Sequence, residues 1–357
     1  MSLTACGSSG NSSSSASAPA TSSAAATSAA GTGTSTAAGT SSASGGASGL
    51  KSGLKVFVIP KNLGNNYFTV ADSVKTGGAL SVAKALGDDG TETSGSAATS
   101  ASQLPAIQAA IAKGANVLVV SATDPTALCP TLKQAMARGI TVVTYDSDAP
   151  TCRDLFINQA STAAIGTSEV DVLAKELHEQ GQIGIVSAAA SATNQNAWIG
   201  YMKKELKKYP KMSLASVVYG NDDPTTATQV TSGLLQHFPK LAGIISPTTV
   251  GIAAAAGVLD TSQYRGKVQL TGLGTPLSMK KFVNDGTIQA FELWDPAKLG
   301  YLAAYAGIEL ASKKLSATPG ATFTAGKLGS FKIASDKSVL LGPPQVFNKA
   351  NIDQFNF

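Results

Sequence analysis

The chain has 357 residues, 43% hydrophobic and 14% charged, and its 27 basic and 22 acidic side chains give a formal charge of +5. No block of like charge and no basic stretch interleaved with aromatics occurs, so the small positive excess offers no stripe for nucleic acid. No apolar run approaches the roughly 18–20 residues of a membrane-spanning helix, and the length suits about two domains of roughly 150 residues once an unusual leader is set aside.

That leader opens with Leu3-Thr4-Ala5-Cys6-Gly7, an aliphatic residue, two small ones and a cysteine. The order resembles the lipid-attachment site of bacterial lipoproteins and makes Cys6 the expected lipidation site. Residues 7–50 are almost entirely Ser, Ala, Thr and Gly, without an aromatic or any apolar periodicity. Such a segment buries too little apolar area to offset its conformational entropy. Residues 1–52 are therefore expected to be a lipobox remnant and a disordered linker, reaching about 35–40 Å as a flexible tether.

From Lys55 the pattern changes. Short apolar runs, at 55–60, 115–122 and 140–146, alternate with stretches of three- and four-residue apolar spacing at 66–87, 101–114 and 126–139. A second series begins after 157–161: strands at 182–189, 212–220, 241–247, 267–274 and 288–295 alternate with helices at 163–181, 195–210, 225–239, 250–262 and 276–286. A long helix at 296–314 and a tail of short strands and loops complete the chain. Strand–helix alternation every 30 residues or so indicates an α/β fold with two doubly wound parallel sheets in tandem.

Ligands of such sheets bind beyond the carboxyl ends of the strands. The residues at those places include Lys61, Asp124, Asp146, Asn194, Gln195, Pro247, Thr248, Thr249, Trp294 and Asp295, with Tyr67, Phe68 and Trp198 nearby on helices. They contain no nucleophile–base set, no phosphate loop and no metal-ligating histidine pair, so neither an enzyme nor a cofactor nor a metal site is expected. As a non-reacting cradle the same set is coherent. Carboxylates accept hydrogen bonds from adjacent hydroxyls, Lys61 donates, the amides do both, and aromatic faces cover the C–H surface of a small carbohydrate. Cys129 and Cys152 can form a disulfide in an oxidising compartment or remain as two buried thiols.

Several stretches in order, "FVIPKNLGNNYF", "VSATDPTALCPTLKQAMARGITVVTYDSDAP", "CRDLFINQAS", "TNQNAW", "ISPTTVGIAAAA", "LTGLGTP", "FELWDP" and "VFNKANIDQFNF", resemble bacterial ABC-transporter sugar-binding proteins of the type I periplasmic-binding fold. The rhamnose-binding and autoinducer-2-binding branch is the nearest. The resemblance implies two lobes joined by a three-crossing hinge, 53–158 plus 296–318 and 159–293 plus 319–357. It also implies ligand contacts at Lys61, Asp146, Asn194, Gln195, Pro247 and Thr249, and a Cys129–Cys152 disulfide. Asparagine at 194 and threonine at 249 depart from the autoinducer-type pattern, which carries aspartate and alanine there, and favour a neutral sugar or a short sugar alcohol. The expectation is a monomeric, lipid-anchored receptor on the outer face of the bacterial cell membrane. It would hand a small polyhydroxylated solute to an ABC permease and its ATPase; the alternative is an autoinducer-2-type signal receptor serving a transporter or a membrane sensor.

Overall fold

The computed structural model describes residues 49–357. The expected lipidation at Cys6 and nearly all of the expected linker lie outside the described residues. The first lobe contains β1 (Lys55–Ile59), β2 (Asp89–Glu92), β3 (Val117–Val120), β4 (Thr141–Tyr145) and β5 (Leu155–Asn158). Between them run α1 (Asn66–Asp72), α2 (Ala79–Leu86), α3 (Ser100–Ala112) and α4 (Pro125–Ala137). The second lobe alternates α5 (Thr162–Glu176), β6 (Gln180–Ser187), α6 (Thr193–Glu205), β7 (Lys211–Tyr219), α7 (Pro224–His237), β8 (Leu241–Ser246), α8 (Thr249–Asp260), β9 (Gln269–Gly272) and α9 (Pro276–Asn284). After them come β10 (Ala290–Leu293), α10 (Pro296–Ala311), β11 (Thr322–Thr324), β12 (Ser330–Lys332), β13 (Ser338–Leu340) and β14 (Gln345–Asn348).

The first sheet runs β13-β5-β4-β3-β1-β2 and the second β7-β6-β8-β9, and every pairing in both is parallel. Helices cover both faces of a parallel sheet, so its central strands read as continuous apolar runs. Val117-Leu118-Val119-Val120 is fully buried in this way. One face of the first sheet packs Ile59, Leu118, Val120 and Val142 against Ile107, Leu128 and Leu132 of α3 and α4. Each such side chain stabilises the fold by about 1.5–3 kcal/mol. On the other face, α10 lies over α1, α2, β3 and β4.

Three expectations are revised. The helix read over 66–87 is two helices. Between them the Thr76 hydroxyl donates back to the Val70 carbonyl, and Gly78 passes so close to the Ala71 carbonyl that a Cβ would sit 2.0 Å from its oxygen. Gly300 of α10 approaches the same oxygen, where a Cβ would lie 1.9 Å away, so close packing of three elements breaks the helix. Strand β2 is the polar sequence Asp-Gly-Thr-Glu, which has no apolar pattern to announce it and is held by its register with β1.

The tail is the third. Residues 319–357 do not belong wholly with the second lobe, because β13 takes the edge of the first sheet beside β5. Val339 is fully buried there, and Arg153 binds the carbonyls of Asp336 and Lys337 just before the strand. Strand β14 pairs with β10 instead, so one tail is stitched to both lobes.

Candidate functional site

The strand ends of the two sheets face one another across a chamber with about 360 Å³ of atom-free space, counting its mouth. Lys61 follows β1, and Gln103 sets its position. The Gln103 amide donates to the Pro60 carbonyl (2.9 Å) and the Ser121 carbonyl (2.8 Å), locking the ends of β1 and β3 together. Asp146 follows β4 in left-handed backbone (φ 59°), a turn that aims its carboxylate into the chamber.

Buried Lys61 places its Nζ 3.3 Å from Asp146 Oδ2, which also accepts from the Ser121 hydroxyl at 2.6 Å. Asp148, two residues on, is turned elsewhere, to Arg153 at 2.7 Å, so the two aspartates do not act as a pair.

The second lobe meets this set directly. Asn194 Nδ2 donates to Asp146 Oδ1 at 3.2 Å, and Asn194 Oδ1 accepts from Lys61 Nζ at 3.5 Å. The neighbouring Gln195 turns back: its Oε1 accepts from the Ser187 hydroxyl and the Ala188 N–H, both at 2.7 Å, capping the end of β6. At the margins, Ser147 meets Thr193, Ser191 donates to the Thr123 carbonyl, and Asn66 meets Ser278. The lobes are closed on one another.

The wall is aromatic. Tyr67, Phe68, Trp198 and Trp294 are all buried, with Tyr67 edge-on to Phe68 (5.1 Å) and to Trp294 (6.1 Å), and Trp198 tilted against Trp294 (6.0 Å). The Trp294 indole N–H donates to the Tyr67 hydroxyl at 2.8 Å. Burial, assisted by the charge of Asp146, pushes the Tyr67 phenol well above its ordinary range, so it stays protonated. Its oxygen accepts from Trp294, which leaves its own proton free to donate. Pro247, Thr248 and Thr249 close the far side from the end of β8.

Donors, acceptors and aromatic faces converge here, and no group is arranged to attack or to abstract a proton. Among the described residues no cluster of three or more metal-ligating side chains occurs. Residues 56–315 match the family described as periplasmic binding protein domain. The chain belongs to the periplasmic binding protein family.

Solved structures agree. This binding protein is 44% identical to a sugar ABC transporter protein from Actinomyces odontolyticus, covering 86% of this chain and 100% of that one with a TM-score of 0.67. It is 34% identical to an ABC transporter solute-binding protein from Clostridium phytofermentas with bound L-rhamnose (85% and 98% covered, TM-score 0.82). To LsrB from Clostridium saccharobutylicum, in complex with AI-2, it is 26% identical (85% and 100% covered, TM-score 0.79). It is thus an extracytoplasmic solute-binding protein of the sugar ABC-transporter class, and it binds rather than transforms its ligand.

Of the residues read from the sequence, the binding protein gathers Lys61, Tyr67, Phe68, Asp146, Asn194, Gln195, Trp198, Pro247, Thr248, Thr249 and Trp294 around the chamber. Two do not join them. Asp124 caps α4 by accepting from the Thr126 and Ala127 N–H groups, and Asp295 caps α10 by accepting from the Lys298 N–H. Both sit at strand ends, but each is spent on a helix whose first residue is proline. Cys129 and Cys152 form a disulfide between α4 and the loop after Asp148.

Four lining residues were not anticipated: Asn65, Asp222, Leu273 and Leu293. Leu273 and Leu293 read as ordinary strand residues. Asn65 and Asp222 each lie in a loop between a strand end and the next helix; the sequence reading takes only Lys61 from the first of these loops and no residue from the second.

Proposed function

We propose that this protein is the lipid-tethered receptor of an ABC importer, holding a small neutral sugar or short sugar alcohol between its lobes. The observation that carries this reading is the two-sided polar set. Lys61 and Asp146 of the first lobe meet Asn194 of the second beneath a wall of four buried aromatics. Vicinal hydroxyls of a polyol fit such acceptors and donors, and the ring faces suit its C–H surface. The relative with bound L-rhamnose, 34% identical, supports the same ligand class.

A ligand that touches both lobes favours the closed state by its differential affinity for it, so capture and closure are one event. The closed form is then presented to a permease driven by its ATPase. Attachment through Cys6 would keep the monomeric body at the outer face of the cell membrane, on a tether of about 35–40 Å. The relative in complex with AI-2 supports a second reading, a receptor for an autoinducer-2-type signal, with Lys61 and Asp146 serving the same polar role.

A thermal-shift screen of the purified chain tests both, against neutral six- and five-carbon sugars, four- to six-carbon alditols and autoinducer-2. Ligand at 100 times its Kd stabilises the fold by about 2.7 kcal/mol. A shift with a sugar or alditol supports the first reading; a shift confined to autoinducer-2 supports the second. No shift with any of them removes both.

A further inference from the structure

Asp222 is the pocket residue with no assigned role, and its placement is unusual. It follows β7 in a turn where both Asn221 (φ 55°) and Asp222 (φ 49°) adopt left-handed backbone. Two consecutive non-glycine residues in that region are uncommon, although Asn and Asp tolerate it best. The turn is pinned to the end of β6: the Gly220 N–H donates to the Ser187 carbonyl at 2.8 Å and the Asn221 N–H to the Ala188 carbonyl at 2.7 Å. The product of this geometry is one carboxylate aimed into the chamber from the second lobe. The Thr248 hydroxyl donates to its Oδ1, while Oδ2 takes no hydrogen bond from the described residues.

The charge balance of the chamber follows from this. Lys61 is the only cation among the described residues lining it, and Lys61 already lies 3.3 Å from Asp146. Two carboxylates, one from each lobe, therefore line a chamber with one ammonium group, which is paired with Asp146. Burial, with the charge of Asp146, raises the Asp222 carboxyl above its ordinary value, against the opposing pull of the Lys61 charge and the Thr248 hydroxyl.

We infer that Asp222 is the specificity-determining counterpart of Asp146 on the second lobe, taking a ligand hydroxyl on Oδ2 and barring anionic sugars. The inference rests on the sugar-receptor reading above and adds the discrimination within it. A neutral polyol offers O–H donors to both carboxylates at once. A sugar acid or sugar phosphate brings a third negative charge to a site whose one cation is already paired, and a buried like charge without a partner is strongly disfavoured. Thr248 is the positioning residue, since its hydroxyl fixes which oxygen of Asp222 remains free.

The test is calorimetric titration of the full chain with L-rhamnose and D-arabinose and with their aldonates, L-rhamnonate and D-arabinonate. Wild type, Asp222→Asn and Thr248→Val are compared, with melting temperatures recorded alongside. Asparagine keeps the shape and tolerates the left-handed turn but loses the charge and the free carboxylate oxygen. Asp222→Asn is expected to weaken neutral-sugar binding by about 10- to 100-fold, the range for losing a hydrogen bond to a charged group. It also narrows the neutral-over-acid ratio by about tenfold or more. Thr248→Val leaves Asp222 in place and is expected to weaken binding by about threefold with a smaller narrowing of the ratio, which keeps the idea testable should Asp222→Asn not fold. Folded Asp222→Asn with wild-type affinity and wild-type ratio overturns the inference, as does wild-type protein that binds an aldonate as tightly as its sugar. Wild type that binds neither neutral sugar, nor any other neutral polyol in the thermal-shift panel, removes the receptor reading itself, and this inference with it.

Discussion

The two lobes share an architecture but treat buried carboxylates differently. In the first, three are partnered, while Glu309 on α10 is buried without a side-chain hydrogen bond from the described residues and is lifted to about 7. Both oxygens of Asp72 accept from the Tyr145 hydroxyl at 3.0 Å, Asp146 has Lys61 and Ser121, and Asp148 has Arg153 and the Thr144 hydroxyl. In the second, Glu169 and Glu176 on α5 are buried with neither oxygen hydrogen-bonded by the described residues. Glu292 on β10 accepts from the Ser168 hydroxyl on one oxygen only. A buried ion without a partner neutralises instead. Burial lifts Glu176 to about 8 and Glu292 to about 7, and it lifts Glu169 well above its ordinary value with help from the charge of Glu292. Charge in the first lobe organises the binding site. Outside the chamber, the buried glutamates of the second lobe, with Glu309 of the first, make the fold sensitive to pH.

The sharpest way to break this contrast is to remove a partner in the first lobe. Asp146→Ala leaves Lys61 buried without its carboxylate, and removing one member of a buried pair costs about 3–5 kcal/mol. Urea unfolding should show that loss, and calorimetry should show sugar affinity down by at least about 100-fold. Unchanged affinity would mean the ligand sits elsewhere.

Cys129→Ser opens a disulfide with a sequence separation of 23, worth about 3 kcal/mol on the chain-entropy account. Its loop carries Ser147 and Asp148 to the cleft margin, so weaker binding should accompany the lower melting temperature.

In the second lobe the sign is reversed. Glu176 is protonated in the fold until about pH 8 but ionises near 4.5 when unfolded, so folding takes up a proton between those values. The stability is full below about pH 4.5 and is lost as pH rises toward 8. Glu176→Gln should flatten that decline by on the order of 2–4 kcal/mol in denaturant midpoints measured at pH 5 and pH 8. A wild-type protein equally stable at both would contradict the unpartnered state of these glutamates.

The smallest effect separates caps from ligand contacts. Asp124→Ala should cost about 1 kcal/mol, the usual value of a lost N-cap, with sugar affinity unchanged.

Much of this was legible before any coordinates. Apolar runs such as Val117–Val120 announce buried parallel strands by composition alone, because both faces are covered and no alternation survives. The strand ends account for most of the chamber, since α/β topology brings those ends to one crevice whatever residues occupy them. The failures were also local. A carboxylate at a strand end serves a ligand or the next helix, and Asp124, Asp146, Asp222 and Asp295 look alike in one dimension. Proline immediately after Asp124 and Asp295 was the available signal for a cap.

The sequence by itself determined the alternation of strands and helices, the two-lobed class and the chemical character of the crevice, because periodicity and residue type act over a few residues. Only the tertiary structure decided which aspartates face the chamber, that Asp222 joins Asp146 there, and that β13 crosses back to the first sheet. Those outcomes depend on contacts between segments far apart in the chain. Backbone angles at one turn, a glycine pressed on a distant carbonyl, or a strand edge left open select one arrangement among several that the local sequence permits equally well.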